Sequence, residues 1–121
     1  MTSFGEFIKS RRIMLGVTLR QFCLKHGIDP GNYSKLERGL LTPPQDREKL
    51  EEYAKHLQLK KESTEWFEFF DLASAENGRI PDEFRQNREA ISHLPLVFRT
   101  LRGERLSEED LEKLRKKVLG D

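Results

Sequence analysis

Apolar positions recur with a helical period along nearly the whole chain, and the interruptions fall at glycines and prolines. Phe4, Phe7, Ile8 and Leu15, with Arg11 in register, share one face of a first helix that Gly16 stops. Thr18 is a good N-cap for a second helix from about residue 19 to residue 26, ended by Gly27. Asp29 caps a third, with Pro30 at its first position, where the missing N–H costs nothing, and Gly39 closes it. Leu-Leu-Thr-Pro-Pro at 40–44 reads as a linker. Pro44 is expected to begin a fourth helix carrying Leu50, Tyr53, Ala54 and Leu57. Ser63 or Thr64 caps a fifth, rich in apolar residues (Trp66, Phe67, Phe69, Phe70, Leu72, Ala73) and ended by Asn77-Gly78.

Residues 79–121 read as an extension. Pro81 starts a short helical piece, Pro95 restarts the chain before Leu96, Val97, Phe98 and Leu101, and Gly103 breaks it again. Ser107 caps a final helix with the stripe Leu106, Leu111, Leu114 and Val118. Its first turn is acidic (Glu108, Glu109, Asp110) and its later part basic (Lys113, Arg115, Lys116, Lys117), a polarity that suits the helix dipole. No segment has the period-two pattern of a strand. The expectation is an all-α chain with a five-helix domain over 1–78 and a helical extension over 79–121.

Residues 19–39, LRQFCLKHGIDPGNYSKLERG, carry the most specific pattern. Two helices that cross at roughly 90–120° over a turn of ~3–4 residues need a small residue where they approach, often a glycine in the turn, and apolar residues on both inner faces. Counting from Leu19, Phe22 is fourth, Cys23 (small) fifth, Gly27 ninth, Ile28 tenth, Tyr33 fifteenth and Leu36 eighteenth. Every restricted position of a helix-turn-helix therefore holds an allowed residue.

Charge adds modest support. The net charge is +1 over 121 residues, but residues 1–42 carry seven Lys or Arg against three acids, whereas 43–80 carry six against nine. The positive excess coincides with the helix-turn-helix pattern, as an electrostatic footprint for nucleic acid requires. No apolar run approaches the ~20 residues of a membrane span, no secretory signal is visible, and the single cysteine excludes an internal disulfide. These features predict a cytoplasmic protein without membrane contact. Cys23 and His26 lie three apart with no second pair to complete a zinc site, and His56 and His93 stand alone in sequence. No nucleophile–base pair, phosphate-binding glycine loop or carboxylate dyad is recognisable. The sequence thus predicts a non-enzyme without cofactor or metal.

With five helices in this order and Ser34-x-x-Glu37-Arg38-Gly39 closing the third, the first ~75 residues resemble the Cro/cI-type (XRE) repressor family. The resemblance implies a lambda-repressor-like fold and a sequence-specific regulator of transcription, a repressor, that binds double-stranded DNA as a homodimer. It also implies a structural ion pair between Arg12, late in the first helix, and Glu37. The implied DNA-binding set is Thr18, Arg20, Gln21, Gly31, Asn32, Ser34, Lys35 and Arg38, with Asn suited to adenine and Lys to guanine. Three departures stand out. Leu19 occupies a place where the family often has Gln, Pro30 and Gly31 replace base-reading side chains, and 40–44 lacks the basic residues that would grip the backbone. Each missing phosphate contact weakens binding, so dimerisation gains importance.

Two apolar clusters exceed what a five-helix domain needs. The cluster Trp66, Phe67, Phe69 and Phe70 reads as packing between extension and core. Leu94, Leu96, Val97, Phe98 and Leu101, with the final helix, read as a homodimer or partner surface. The alternative function is an antitoxin or other protein-binding module on the same fold, with a toxin or another protein as its partner.

Overall fold

A computed structural model describes residues 2–103 and 107–119, the side chains of Asp110, Leu114, Lys117, Val118 and Leu119 excepted. The chain is all-helical, with no strand among the described residues. It divides into two compact units, Met1–Arg79 and Ile80–Asp121.

The first unit holds α1 (Phe4–Met14), α2 (Leu19–His26), α3 (Pro30–Glu37), α4 (Arg47–His56) and α5 (Thr64–Glu76). Local chemistry sets each start. Ser3, Thr18, Asp29, Asp46 and Ser63 adopt extended backbone and accept from an N–H in the first turn that follows, which satisfies one of the donors a helix start leaves unpaired. α4 begins at Arg47, not Pro44. Asp46 accepts from Glu48 N–H, and a carboxylate cap outweighs proline's preference for the first turn. α4 ends on Leu57, with Gln58 in the left-handed region at φ 56°. Arg11 reaches over from α1 and donates to the carbonyls of Leu57 and Gln58, both at 2.9 Å.

The core of this unit gathers Phe4 and Ile8 of α1, Phe22 and Cys23 of α2, Tyr33 and Leu36 of α3, Leu50, Ala54 and Leu57 around α4, and Phe69, Phe70 and Ala73 of α5. Fully burying one Leu or Phe contributes roughly 1.5–3 kcal/mol, so this cluster dominates the stability of the unit. Phe69 lies between Phe4 and Phe7, with ring centroids 5.2 and 6.2 Å away. The Arg47 guanidinium lies 3.9 Å from the centre of the Phe70 ring and 5.5 Å from that of Trp66. Phe69 and Phe70 of this cluster are buried within the first unit, against α1 and α4, whereas Phe67 is exposed.

The second unit contains α6 (Asp82–Arg85), α7 (Arg88–Ser92), α8 (Leu94–Leu101) and α9 (Glu108–Leu119). Asn87 caps α7 by accepting from Ala90 N–H. Pro95 lies inside the first turn of α8 instead of preceding the helix. α6, α7 and α8 contain no fully buried side chain. A cavity of about 320 Å³ lies among Ile80, Phe84, Ala90, Ile91 and Leu94, edged by Asn87 and His93. Leu106 lies outside the described residues, as do the side chains of Leu114 and Val118, so the apolar stripe expected for α9 is described only at Leu111.

Candidate functional site

α2 and α3 are joined by Gly27, Ile28 and Asp29. Gly27 sits at φ 66°, a left-handed conformation that favours glycine, and Ile28 N–H donates back to the Cys23 carbonyl at 2.9 Å. Thr18 and Gln21 form a reciprocal capping box at the start of α2. Gln21 N–H donates to Thr18 Oγ1 at 3.1 Å, and Thr18 N–H donates to Gln21 Oε1 at 2.9 Å. At α3, Asp29 Oδ2 accepts from Asn32 N–H at 3.0 Å.

α3 is two-sided. Tyr33, Leu36 and Glu37 face the core, while Gly31, Asn32, Lys35 and Arg38 are exposed and Ser34 is half-buried. Arg38 donates weakly to the Ser34 carbonyl at 3.3 Å. Arg20 and Gln21 are exposed on α2, as is its N-cap Thr18. Gly31 is not demanded by packing. A Cβ there would meet only Asp29 Oδ2 at an ordinary 3.5 Å.

The inner side of α3 is held to α1 by an ion pair and by direct backbone contact. Arg12 and Glu37 are both buried and joined by a two-pronged bridge: Nε to Oε2 at 2.7 Å and Nη2 to Oε1 at 2.9 Å. The third prong, Nη1, donates to the Val17 carbonyl at 2.9 Å. The fork geometry satisfies both carboxylate oxygens, which a lysine could not do. The hydrogen bond to Glu37 holds the Arg12 pKa above its ordinary value, against the opposing effect of burial. Gly5 sits on the same junction. A Cβ there would fall 2.5 Å from the Glu37 carbonyl oxygen and 2.6 Å from that of Leu36. Nothing in the sequence around Gly5 marked it, because a glycine inside a helix ordinarily signals only weak helix propensity.

No family model, curated protein or solved structure matches this chain.

Behind α2 lies an aromatic group that sequence spacing did not bring together. His26, at the end of α2, stacks on His56, at the end of α4, with centroids 4.0 Å apart and planes 19° apart, and Phe22 approaches both edge-on. His56 Nδ1 and Tyr33 Oη are buried without a hydrogen-bond partner. Burial lowers the pKa of both histidines, and their mutual proximity lowers that of His56 further. Burial likewise pushes the Cys23 thiol and the Tyr33 phenol upward, so both stay neutral. No group of three or more His, Cys, Asp or Glu that could hold a metal occurs among the described residues. No described helix is long and apolar enough to cross a membrane.

In the extension, Leu94, Leu96 and Val97 are half-buried, whereas Phe98 and Leu101 are exposed. Phe84 and Leu111 are also exposed in this unit. Spacing along α8 puts Leu94, Val97, Phe98 and Leu101 on one stripe.

Proposed function

We propose that this chain is a sequence-specific double-stranded DNA-binding regulator, a repressor of the Cro/cI type, that works as a homodimer with α3 in the major groove. The reading rests above all on the two-sidedness of α3. Its inner face is anchored by Tyr33, Leu36 and the Glu37–Arg12 bridge, and its outer face carries only small, polar or basic groups. The five helices of the first unit then act as a lambda-repressor-like domain, with α2 crossing the DNA backbone and α3 reading base edges. Asn32 pairs with adenine, Lys35 with guanine, and Arg38 and Arg20 meet phosphates. Gly31 lets the α3 backbone approach the groove wall, consistent with the open space around it.

Few phosphate-binding groups surround this face. Leu40 and Leu41 are exposed where basic residues would strengthen binding, so one protomer binds weakly and two half-sites are needed. The test is selection of bound duplexes from a random pool at two salt concentrations. An enriched motif with two related half-sites is expected. Lys35→Ala should cost about 1–3 kcal/mol of discrimination at one position and flatten the salt dependence by roughly one contact. No enrichment and no salt-dependent binding would sink the reading. The exposed Phe84, Phe98 and Leu101 would then favour capture of another protein as the main role.

A further inference from the structure

Between them, α6, α7 and the start of α8 enclose the cavity of about 320 Å³. Four of its wall residues are apolar and only half-buried: Ile80, Ala90, Ile91 and Leu94. Phe84, also on the wall, is 45% exposed, so the space is a partly open pocket.

Short-range backbone bonds hold this wall. Phe84 N–H donates to the Pro81 carbonyl at 2.9 Å, Asn87 N–H to that of Phe84 at 3.1 Å, and Ile91 N–H to that of Asn87 at 3.0 Å. Arg85 Nε donates to the Ile80 carbonyl at 3.3 Å. α7, the central wall, is packed by α6, α8 and α9. A frame of this kind is formed in advance, so a guest need not order it first.

Size and chemistry narrow the guest. A cavity of about 150 Å³ lined by Leu, Ile and Phe takes up benzene, and twice that volume suits two fused rings. Phe84 and His93 both present rings, and aromatic pairs attract beyond the area they bury. No Asp, Glu, Lys or Arg lines the space among the described residues. A charged guest would therefore lose hydration without gaining a counter-ion.

The polar part of the wall offers donors. Asn87 Oδ1 is taken by the Ala90 N–H at 3.0 Å, where it caps α7, which leaves Nδ2 as the amide's contribution to a guest. The His93 ring carries an N–H in either protonation state. A guest with an acceptor oxygen answers both.

We infer that this pocket is a binding site for a flat, uncharged molecule of two fused rings with one acceptor oxygen on its edge. The rings lie among Ile80, Ile91 and Leu94, and the oxygen takes the Asn87 amide N–H. The inference rests on the second unit alone and stands or falls without DNA.

The test is calorimetric titration of the full chain with coumarin, which has two fused rings and a carbonyl acceptor. Naphthalene, without an acceptor, and coumarin-3-carboxylate, with an added charge, are titrated alongside. Coumarin and naphthalene are expected to bind saturably at one site, and the carboxylate not measurably. Ala90→Phe puts a ring into the space and should weaken coumarin at least about tenfold, with helix content by circular dichroism unchanged. Asn87→Asp keeps the cap on α7 and removes the donor, so coumarin should weaken roughly threefold to tenfold while naphthalene changes by less than about twofold. No saturable binding of coumarin overturns the inference. So does binding that Ala90→Phe leaves unchanged, an Asn87→Asp effect shared equally by both guests, or a carboxylate that binds as well as coumarin. Self-association that Ala90→Phe abolishes, without coumarin binding, would put a second copy in the pocket and overturn it too.

Discussion

The two units bury their apolar residues very differently. In the first, every helix sends at least two side chains into one shared core, and even a charged pair is enclosed there. In the second, α6, α7 and α8 enclose nothing fully, and Leu101 stands 77% exposed. A unit of about forty residues sits at the size where oligomerisation or another staple is usually needed. The first unit is thus built to hold a fixed outer surface on α3.

The sharpest way to break this comparison is at the enclosed pair. Glu37→Ala strands the Arg12 guanidinium and should destabilise the first unit by about 3–5 kcal/mol, read as a large fall in the denaturation midpoint by Trp66 fluorescence. Gly5→Ala follows, at roughly 2–4 kcal/mol, because the new methyl meets two backbone carbonyls that cannot rotate aside. A midpoint within experimental error of the native chain would refute the close contact. The histidine stack gives a smaller, pH-dependent effect. Both folded-state pKa values lie below the unfolded one, so above about pH 7 the pair is neutral in both states and contributes no slope. As pH falls through the unfolded pKa, the unfolded chain takes up protons that the folded chain does not, and stability declines. The midpoint should be lower at pH 5.5 than at pH 7.5, and His56→Phe should remove much of that difference. Lys25 and Lys49 oppose protonation of this pair and Glu52 favours it. Least affected should be a change in the other unit: Leu101→Asp should move the Trp66 midpoint by less than about 0.5 kcal/mol. A large shift would show that the first unit depends on α8.

What was legible in the sequence was local. Thr18, Asp29 and Gly27 could be read because a cap or a left-handed turn is decided within three or four residues. Pro44 misled because its preference for a first turn was weighed without Asp46, two positions on and a stronger cap. α7 went unread because its Asn87 cap precedes only five helical residues, too few for a period to show. Arg12 and Glu37 entered through a family likeness. Gly5 and the His26–His56 stack were hidden altogether, since both arise where distant segments meet. The outer face of α3 could be named residue by residue, but what it binds is not written in a periodicity.

Gly5 carries one more consequence. Where a side chain separates two helices, the gap can be tuned, because rotamers change and one element can slide or tilt over the other. Here α1 and α3 touch main chain to main chain, with the ion pair clamped beside the contact, so the joint has no slack. α1 and α3 must therefore move together as one piece. Any signal that retunes the surface of α3 has to carry α1 along with it, instead of re-angling α3 alone.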